Sequence, residues 1–382
     1  MRQLRIIIIR NAAPYDFGGG ERFPVFLARE LQDLGHLPII MSRHAKLCDY
    51  AKHEQVPYRR SWWWSRQNWS GRQALMTPLY ILWQLILVLY YIIQFRRYQP
   101  DVVHLQSKDD FIAGSIAGKI VGARVVWTDH ADLKHIWRQV DVRCKNPTGK
   151  IVAWAARFTD AITVVSQSER RLVTDNLPPN SPIHRKIVVV YNGINDQKPK
   201  HMPPKNKLFT FCISGRLVID KGIREAITAF RQFHAAHSDS RLILIGDGPD
   251  RLQFERQAKN LPVIFRGYKT NPLPEVAATD VYLHPTYHEG FSVSLVEASM
   301  LQLPIIATSV GGNPEIIHNN KTGLLIPVKD STALRGAMEQ LYTDRKFRAN
   351  LAAAARRQYL ARFVFHTIVE KQFIPLYENG IL

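Results

Sequence analysis

A chain of 382 residues is long enough for two domains of ordinary size, and a hydrophobic share of 46% excludes a disordered polypeptide. Three cysteines, Cys48, Cys144 and Cys212, are odd in number and far apart, which argues against a disulfide framework or a thiolate metal site and for a reducing cytoplasm. A formal net charge of +19 calls for an acidic partner; composition alone leaves nucleic acid, an anionic membrane surface and phosphorylated substrates open.

The N-terminal run MRQLRIIIIR starts basic and turns apolar, yet Arg10 interrupts it and no small-residue cleavage pattern follows. It reads as a first strand over 4–9, not as a secretory signal. Gly18, Gly19, Gly20 and Glu21 come next, ahead of an amphipathic helix; such a turn either cradles a phosphate or makes a tight strand-to-helix connection. A second strand is expected over 37–41.

Residues 51–100 then carry Lys52, Arg59, Arg60, Arg66, Arg72, Arg96 and Arg97 against a single acidic residue, Glu54. Trp62, Trp63, Trp64 and Trp69 are interleaved with Arg66 and Arg72, and a run of 23 uncharged residues separates Arg72 from Arg96. Tryptophan beside arginine next to a long apolar helix suits the headgroup layer of an anionic leaflet, so membrane docking is preferred over nucleic acid. The apolar run is long enough to span a bilayer. However, Thr77, Pro78 and Gln84 interrupt it and a strand-like segment follows at once, which favours a membrane-apposed or core helix.

Further strand-like runs at 102–105, 124–127, 161–165 and 187–191 alternate with helical segments, the pattern of a parallel α/β sheet. The polar, proline-bearing stretch 195–207 reads as a linker, and a second alternating series begins at 208. The expected organisation is a first domain over 1–194, a second over 208–362, and an amphipathic C-terminal segment, 363–382, returning to the first. Two such Rossmann-like domains would face each other across a cleft lined by strand ends.

The chemistry-bearing residues cluster in the second domain. Gly215 and Arg216 follow its first strand and Lys221 precedes the next helix; a forked guanidinium and a point-charge ammonium on one loop suit a diphosphate. In HPTYHEGFSVSLVEAS, Glu289 and Glu297 flank a loop that enters an apolar helix expected over 293–301. Its N-terminus could hold a phosphate between two carboxylates that accept sugar hydroxyls. Ser294 and Glu297 also fit a capping box, and this segment by itself leaves both readings open.

Taken together, GGGE at 18–21, PDVVHLQ at 100–106, WTDH at 127–130, VVSQSE at 164–169, YNGI at 191–194, SGRLVIDKG at 214–222, IGDGP at 245–249, HPTYHEGFSVSLVEAS at 284–299 and GGNPEII at 311–317 resemble the retaining glycosyltransferase family 4, of GT-B architecture. The likeness runs nearly end to end, with roughly 55–95 particular to this chain. It implies that Arg216 and Lys221 neutralise the leaving diphosphate and that Glu289 holds sugar hydroxyls, helped by the backbone near Gly290, Phe291 and Ser292. It further implies that Glu297 takes the ribose, that the backbone at Arg266 and Gly267 holds the base, that Gly19 and Gly20 approach from the first domain, and that His130 lines the sugar. The donor is expected to be UDP-linked and the reaction free of a metal cofactor, no Asp-x-Asp motif being present. The acceptor is expected to be lipid-linked or a lipopolysaccharide, at the inner face of the cytoplasmic membrane. Two departures from the family pattern are Asn195 after the YNGI motif and Asn313–Pro314 before Glu315. An inactive binding module and an epimerase or phosphorylase of the same architecture remain alternatives.

Overall fold

The computed structural model describes residues 2–11, 19–62, 77–130, 147–198 and 208–381. The chain forms two units, residues 1–191 with 366–382, and residues 192–365. Among the expected features, Gly18, Trp63, Trp64, Arg66, Trp69, Arg72, Cys144 and the linker portion 199–207 lie outside the described residues.

Unit 1 holds a seven-stranded sheet built from β1 (Arg5–Ile9), β2 (Leu37–Ser42), β3 (Tyr58–Arg60), β4 (Val102–Leu105), β5 (Arg124–Asp129), β6 (Ala161–Val164) and β7 (Ile187–Val189). Their order across the sheet is β3-β2-β1-β4-β5-β6-β7, all pairs parallel, with Ile7 opposite Ile39 on one side and Val103 on the other. Helices cover both faces of such a sheet, which is why its central strands read as unbroken apolar runs. Phe111 stacks on Trp127 at 4.1 Å between ring centres in the core of this unit.

Helix α3, Thr77–Tyr98, is the one helix among the described residues long and apolar enough to cross a bilayer. Its two faces differ. Tyr80, Gln84, Leu87, Val88, Tyr91, Gln94 and Phe95 are buried, and the Tyr91 hydroxyl donates to Asp110 Oδ1 at 2.8 Å. The opposite stripe, Leu79, Leu82, Leu85, Ile86, Leu89 and Ile93, is exposed. The alternation of both stripes at three- and four-residue steps follows from helical periodicity. Arg96 and Arg97 close the helix, where a cation complements the dipole. Trp62 stands 71% exposed with its ring edge-on to Tyr90 at 5.7 Å.

The C-terminal residues 366–382 complete unit 1. Tyr377 is hydrogen-bonded to His104 Nδ1 at 2.7 Å, and Arg124 Nη1 donates to the Tyr377 carbonyl at 2.6 Å.

Unit 2 holds β8 (Phe209–Ser214), β9 (Ser240–Ile245), β10 (Val263–Phe265), β11 (Val281–His284), β12 (Ile305–Thr308) and β13 (Leu324–Ile326) in the order β10-β9-β8-β11-β12-β13, again all parallel. Strand order reverses between β8 and β11, the point at which open parallel sheets bind ligands beyond their carboxyl ends. Phe211, Phe230 and Phe233 anchor its core. Residues 192–198 belong to this unit: Arg356 pairs with Asp196, and the Tyr359 hydroxyl donates to the Ile194 carbonyl at 3.0 Å. Cys48 and Cys212 are free and buried.

Candidate active site

The switch point of unit 2 is assembled from two loops. After β8 the chain passes Gly215 and the exposed Arg216 into a single turn, Ile219–Lys221, closed by Gly222 at φ +66°. Only glycine fits there, since a Cβ would meet the Pro285 carbonyl oxygen at 1.9 Å as well as strain the left-handed backbone. This close approach seats the turn against the loop that follows β11. Tyr287 N donates to the Asp220 carbonyl at 2.8 Å and Thr286 Oγ1 to the same oxygen at 3.1 Å. From the other side Gly311, at φ +51°, packs on the Glu289 carbonyl, where a Cβ would come within 1.6 Å. The outcome is a contact between residues far apart in the chain: Lys221 Nζ donates to Glu289 Oε2 at 2.8 Å.

The two glutamates sit in opposite electrostatic settings. Burial by itself would raise the Glu289 carboxyl, but His284 and the Lys221 ammonium outweigh it and hold the group at about 2. Glu297, half-buried on the Val293–Met300 helix, has no compensating cation among the described residues, and desolvation pushes it up to about 7. Ser292 is the N-cap of that helix, its Oγ accepting from Leu295 N at 3.3 Å. The third helical position is therefore Leu295, and the Ser294–Glu297 capping box does not form. Glu297 lies in the second turn, close enough to act on Tyr282, whose hydroxyl donates to the Ser214 carbonyl at 3.1 Å.

The remaining expected residues fall in three places. Phe291 is buried with its ring 5.8 Å from Phe363, so only its backbone is offered to a ligand. Gly290 lies between it and Glu289. Arg266 and Gly267 follow β10 on the same carboxyl edge of the sheet; Gly246 N donates to the Gly267 carbonyl at 2.9 Å, and the Arg266 guanidinium turns to Glu275 at 3.3 Å. In unit 1, Gly19 and Gly20 open helix α1, Gly19–Asp33. His130 directly follows β5, with the Phe23 ring edge-on at 5.2 Å. Burial, reinforced by the Arg10 charge, lowers the His130 imidazole well below its ordinary range and leaves it neutral.

His284 was missed by sequence reasoning. It is the last residue of β11, buried, with Nε2 3.4 Å from Glu289 Oε2. The signal was present in HPTYHEG, but a histidine ending an apolar strand looks like a core residue until the loop is folded back over it.

Residues 17–198 match the family described as Glycosyltransferase Family 4, and residues 194–358 match Glycosyl transferases group 1. The chain belongs to glycosyltransferase family 4. It is a transferase of GT-B fold, and its two parallel sheets are those of the family. The N-acetyl-alpha-D-glucosaminyl L-malate synthase of Bacillus anthracis is 26% identical over 72% of this chain and 74% of its own length. The phosphatidylinositol N-acetylglucosaminyltransferase GPI3 subunit of Saccharomyces cerevisiae (strain ATCC 204508 / S288c) is 25% identical over 80% of this chain and 68% of its own. Among solved structures, Anabaena HepE in complex with UDP and glucose superposes with a TM-score of 0.75 at 19% identity, covering 98% of this chain and 100% of that one. Relatives in the family act on varied acceptors, so membership gives glycosyl transfer and not the acceptor.

Proposed function

We propose that this family 4 glycosyltransferase moves a hexose from a UDP-linked donor to a membrane-associated acceptor, with retention of anomeric configuration, in the assembly of lipopolysaccharide or another cell-surface polysaccharide or glycolipid. The observation that carries the donor half is the meeting of Lys221 and Glu289 at the switch point of unit 2. HepE, similar in fold, binds UDP and glucose, which favours a UDP-linked hexose.

In this reading unit 2 binds the donor and unit 1 the acceptor. Breaking the anomeric bond leaves positive charge on the sugar and added negative charge on the diphosphate, so groups that bind the diphosphate bind the transition state most tightly. Arg216 offers forked donors and Lys221 a mobile point charge, aided by the N-terminus of the Val293–Met300 helix. These cations do the work that a metal ion does in other transferases. Glu289 and the backbone of Gly290, Phe291 and Ser292 hold the sugar, Glu297 the ribose, Gly215 and the 266–267 backbone the nucleotide. Unit 1 carries Gly19, Gly20 and the neutral His130, the residues that the family likeness gives to sugar recognition. The acceptor oxygen attacks on the face the diphosphate leaves, and a phosphate oxygen takes its proton.

The acceptor half rests on α3. Its exposed aliphatic stripe, the protruding Trp62 and the terminal Arg96 and Arg97 form a surface for an anionic leaflet at the cytoplasmic side. By composition alone, Trp63, Trp64, Trp69, Arg66 and Arg72 of the adjoining sequence suit the same headgroup layer. The yeast relative is named for phosphatidylinositol and the Bacillus relative for malate; the stripe favours the lipid case.

A thermal-shift series with UDP and UDP-hexoses tests the donor half, because a ligand of the native state raises the melting temperature. Wild type should shift, and Lys221→Ala should lose most of the shift. A wild type that no UDP compound stabilises would refute the donor assignment.

A further inference from the structure

One oxygen of the donor site has two nitrogen neighbours. Glu289 Oε2 receives Lys221 Nζ at 2.8 Å and lies 3.4 Å from His284 Nε2, a buried atom with no hydrogen-bond partner among the described residues. In the donor reading above, on which this inference rests, Lys221 is also the cation that the diphosphate needs. Its flexible four-carbon stem allows it to change partner, whereas the Glu289 carboxylate stays behind, largely desolvated, and an unpartnered buried carboxylate is costly. His284 is held at the end of β11 with Nε2 3.4 Å from the oxygen that Lys221 vacates, so a small adjustment brings it to hydrogen-bond distance.

We propose that His284 is the positioning residue for Glu289, its Nε2 holding Oε2 while Lys221 moves to the donor diphosphate, so that Oε1 stays free for a hydroxyl of the transferred sugar. The charged groups acting on His284 are Glu289 and Lys221. On its own strand the Tyr282 ring stacks at 6.4 Å. On the two neighbouring strands, β12 sets Ala307 opposite His284 and has no ionisable side chain, while β8 brings only the buried Cys212, opposite Tyr282. Glu297 acts on Tyr282. Burial, the largest effect, and the Lys221 charge together lower the His284 imidazole by more than Glu289 raises it, so the ring is neutral. Withdrawing Lys221 and bringing in an anionic diphosphate both raise the proton affinity of the His284–Glu289 pair. Donor binding therefore draws a proton from solvent into the site.

Titration calorimetry of UDP-glucose and UDP at pH 7, in two buffers of different ionisation enthalpy, reads this directly. Wild type should take up a fraction of a proton, on the order of 0.3 to 1 per donor bound. His284→Gln keeps an N–H donor but cannot titrate; it should bind within about threefold of wild type with the uptake gone. His284→Leu removes both properties and should bind roughly tenfold more weakly. If His284→Leu melts like wild type and binds with wild-type affinity, or if His284→Gln retains the uptake, the inference is wrong. Should His284→Leu not fold, the uptake of His284→Gln decides. Wild type that binds neither compound would instead overturn the UDP-donor reading, and this inference with it.

Discussion

Glu289 and Glu297 share one loop and one helix, yet the fold holds the first at about 2 and pushes the second to about 7. The causes are His284 at the end of β11 and a second neighbour that sequence order hides, Lys221. Gly222 allows Lys221 to approach the loop after β11, and Glu289 receives the ammonium while Glu297 receives none. Glu297 binds protons more tightly folded than unfolded, so it costs stability above about pH 7 and that cost is relieved as pH falls toward the ordinary glutamate value of 4.5. Glu297→Gln should therefore stabilise the empty protein at pH 8 by on the order of 1–2 kcal/mol and flatten stability between pH 7 and 4.5, read by chemical denaturation. The same substitution should weaken UDP-glucose binding about tenfold or more at pH 8, where the carboxylate would accept ribose hydroxyls. Unchanged affinity would remove Glu297 from the site. That these two carboxylates matter was legible from their motif; which one stays ionised was not, because a pKa depends on the groups that surround it in space.

At the scale of the element, α3 separates what hydropathy merges. The apolar run identified a long helix, but a window average cannot tell a helix buried all round from one with a single buried face. Tyr91 bonded to Asp110 and the buried Gln84 and Gln94 mark the inward face and fix its rotation, leaving the aliphatic stripe outward. Leu82 and Leu89, 55% and 63% exposed, contribute little to the core. Leu82→Asp combined with Leu89→Asp should leave the melting temperature within a few degrees of wild type and reduce flotation with anionic liposomes at least about tenfold, because each buried leucine is worth about 1.5–3 kcal/mol. Flotation equal to wild type would sink the docking surface.

Across the whole molecule the chain makes two parallel sheets and then returns, residues 366–382 completing unit 1. Tyr377 is fully buried there and ties β4 to β5 through His104 and Arg124. Tyr377→Ala leaves a cavity and strips the partner of a buried imidazole, a loss of about 3–5 kcal/mol. Hydrogen exchange should then accelerate in Val102–Leu105 and Arg124–Asp129 while the strands of unit 2 keep their protection. Equal loss in both units would show that the C-terminal segment is not local to unit 1.

The sequence by itself determined the alternation of strand and helix, the parallel α/β class, and the residue types able to bind a nucleotide sugar. Those properties are local: period-two and period-3.6 patterning, glycine where the chain must turn, and motifs at short spacing. Tertiary structure alone decided that Lys221 meets Glu289, that His284 lies beneath the same carboxylate, that Ser292 and not Ser294 caps the helix, and which stripe of α3 faces outward. Each of these is set by which strands become neighbours and how closely two backbones approach, and the separation of 68 positions between Lys221 and Glu289 carries no local trace of that approach.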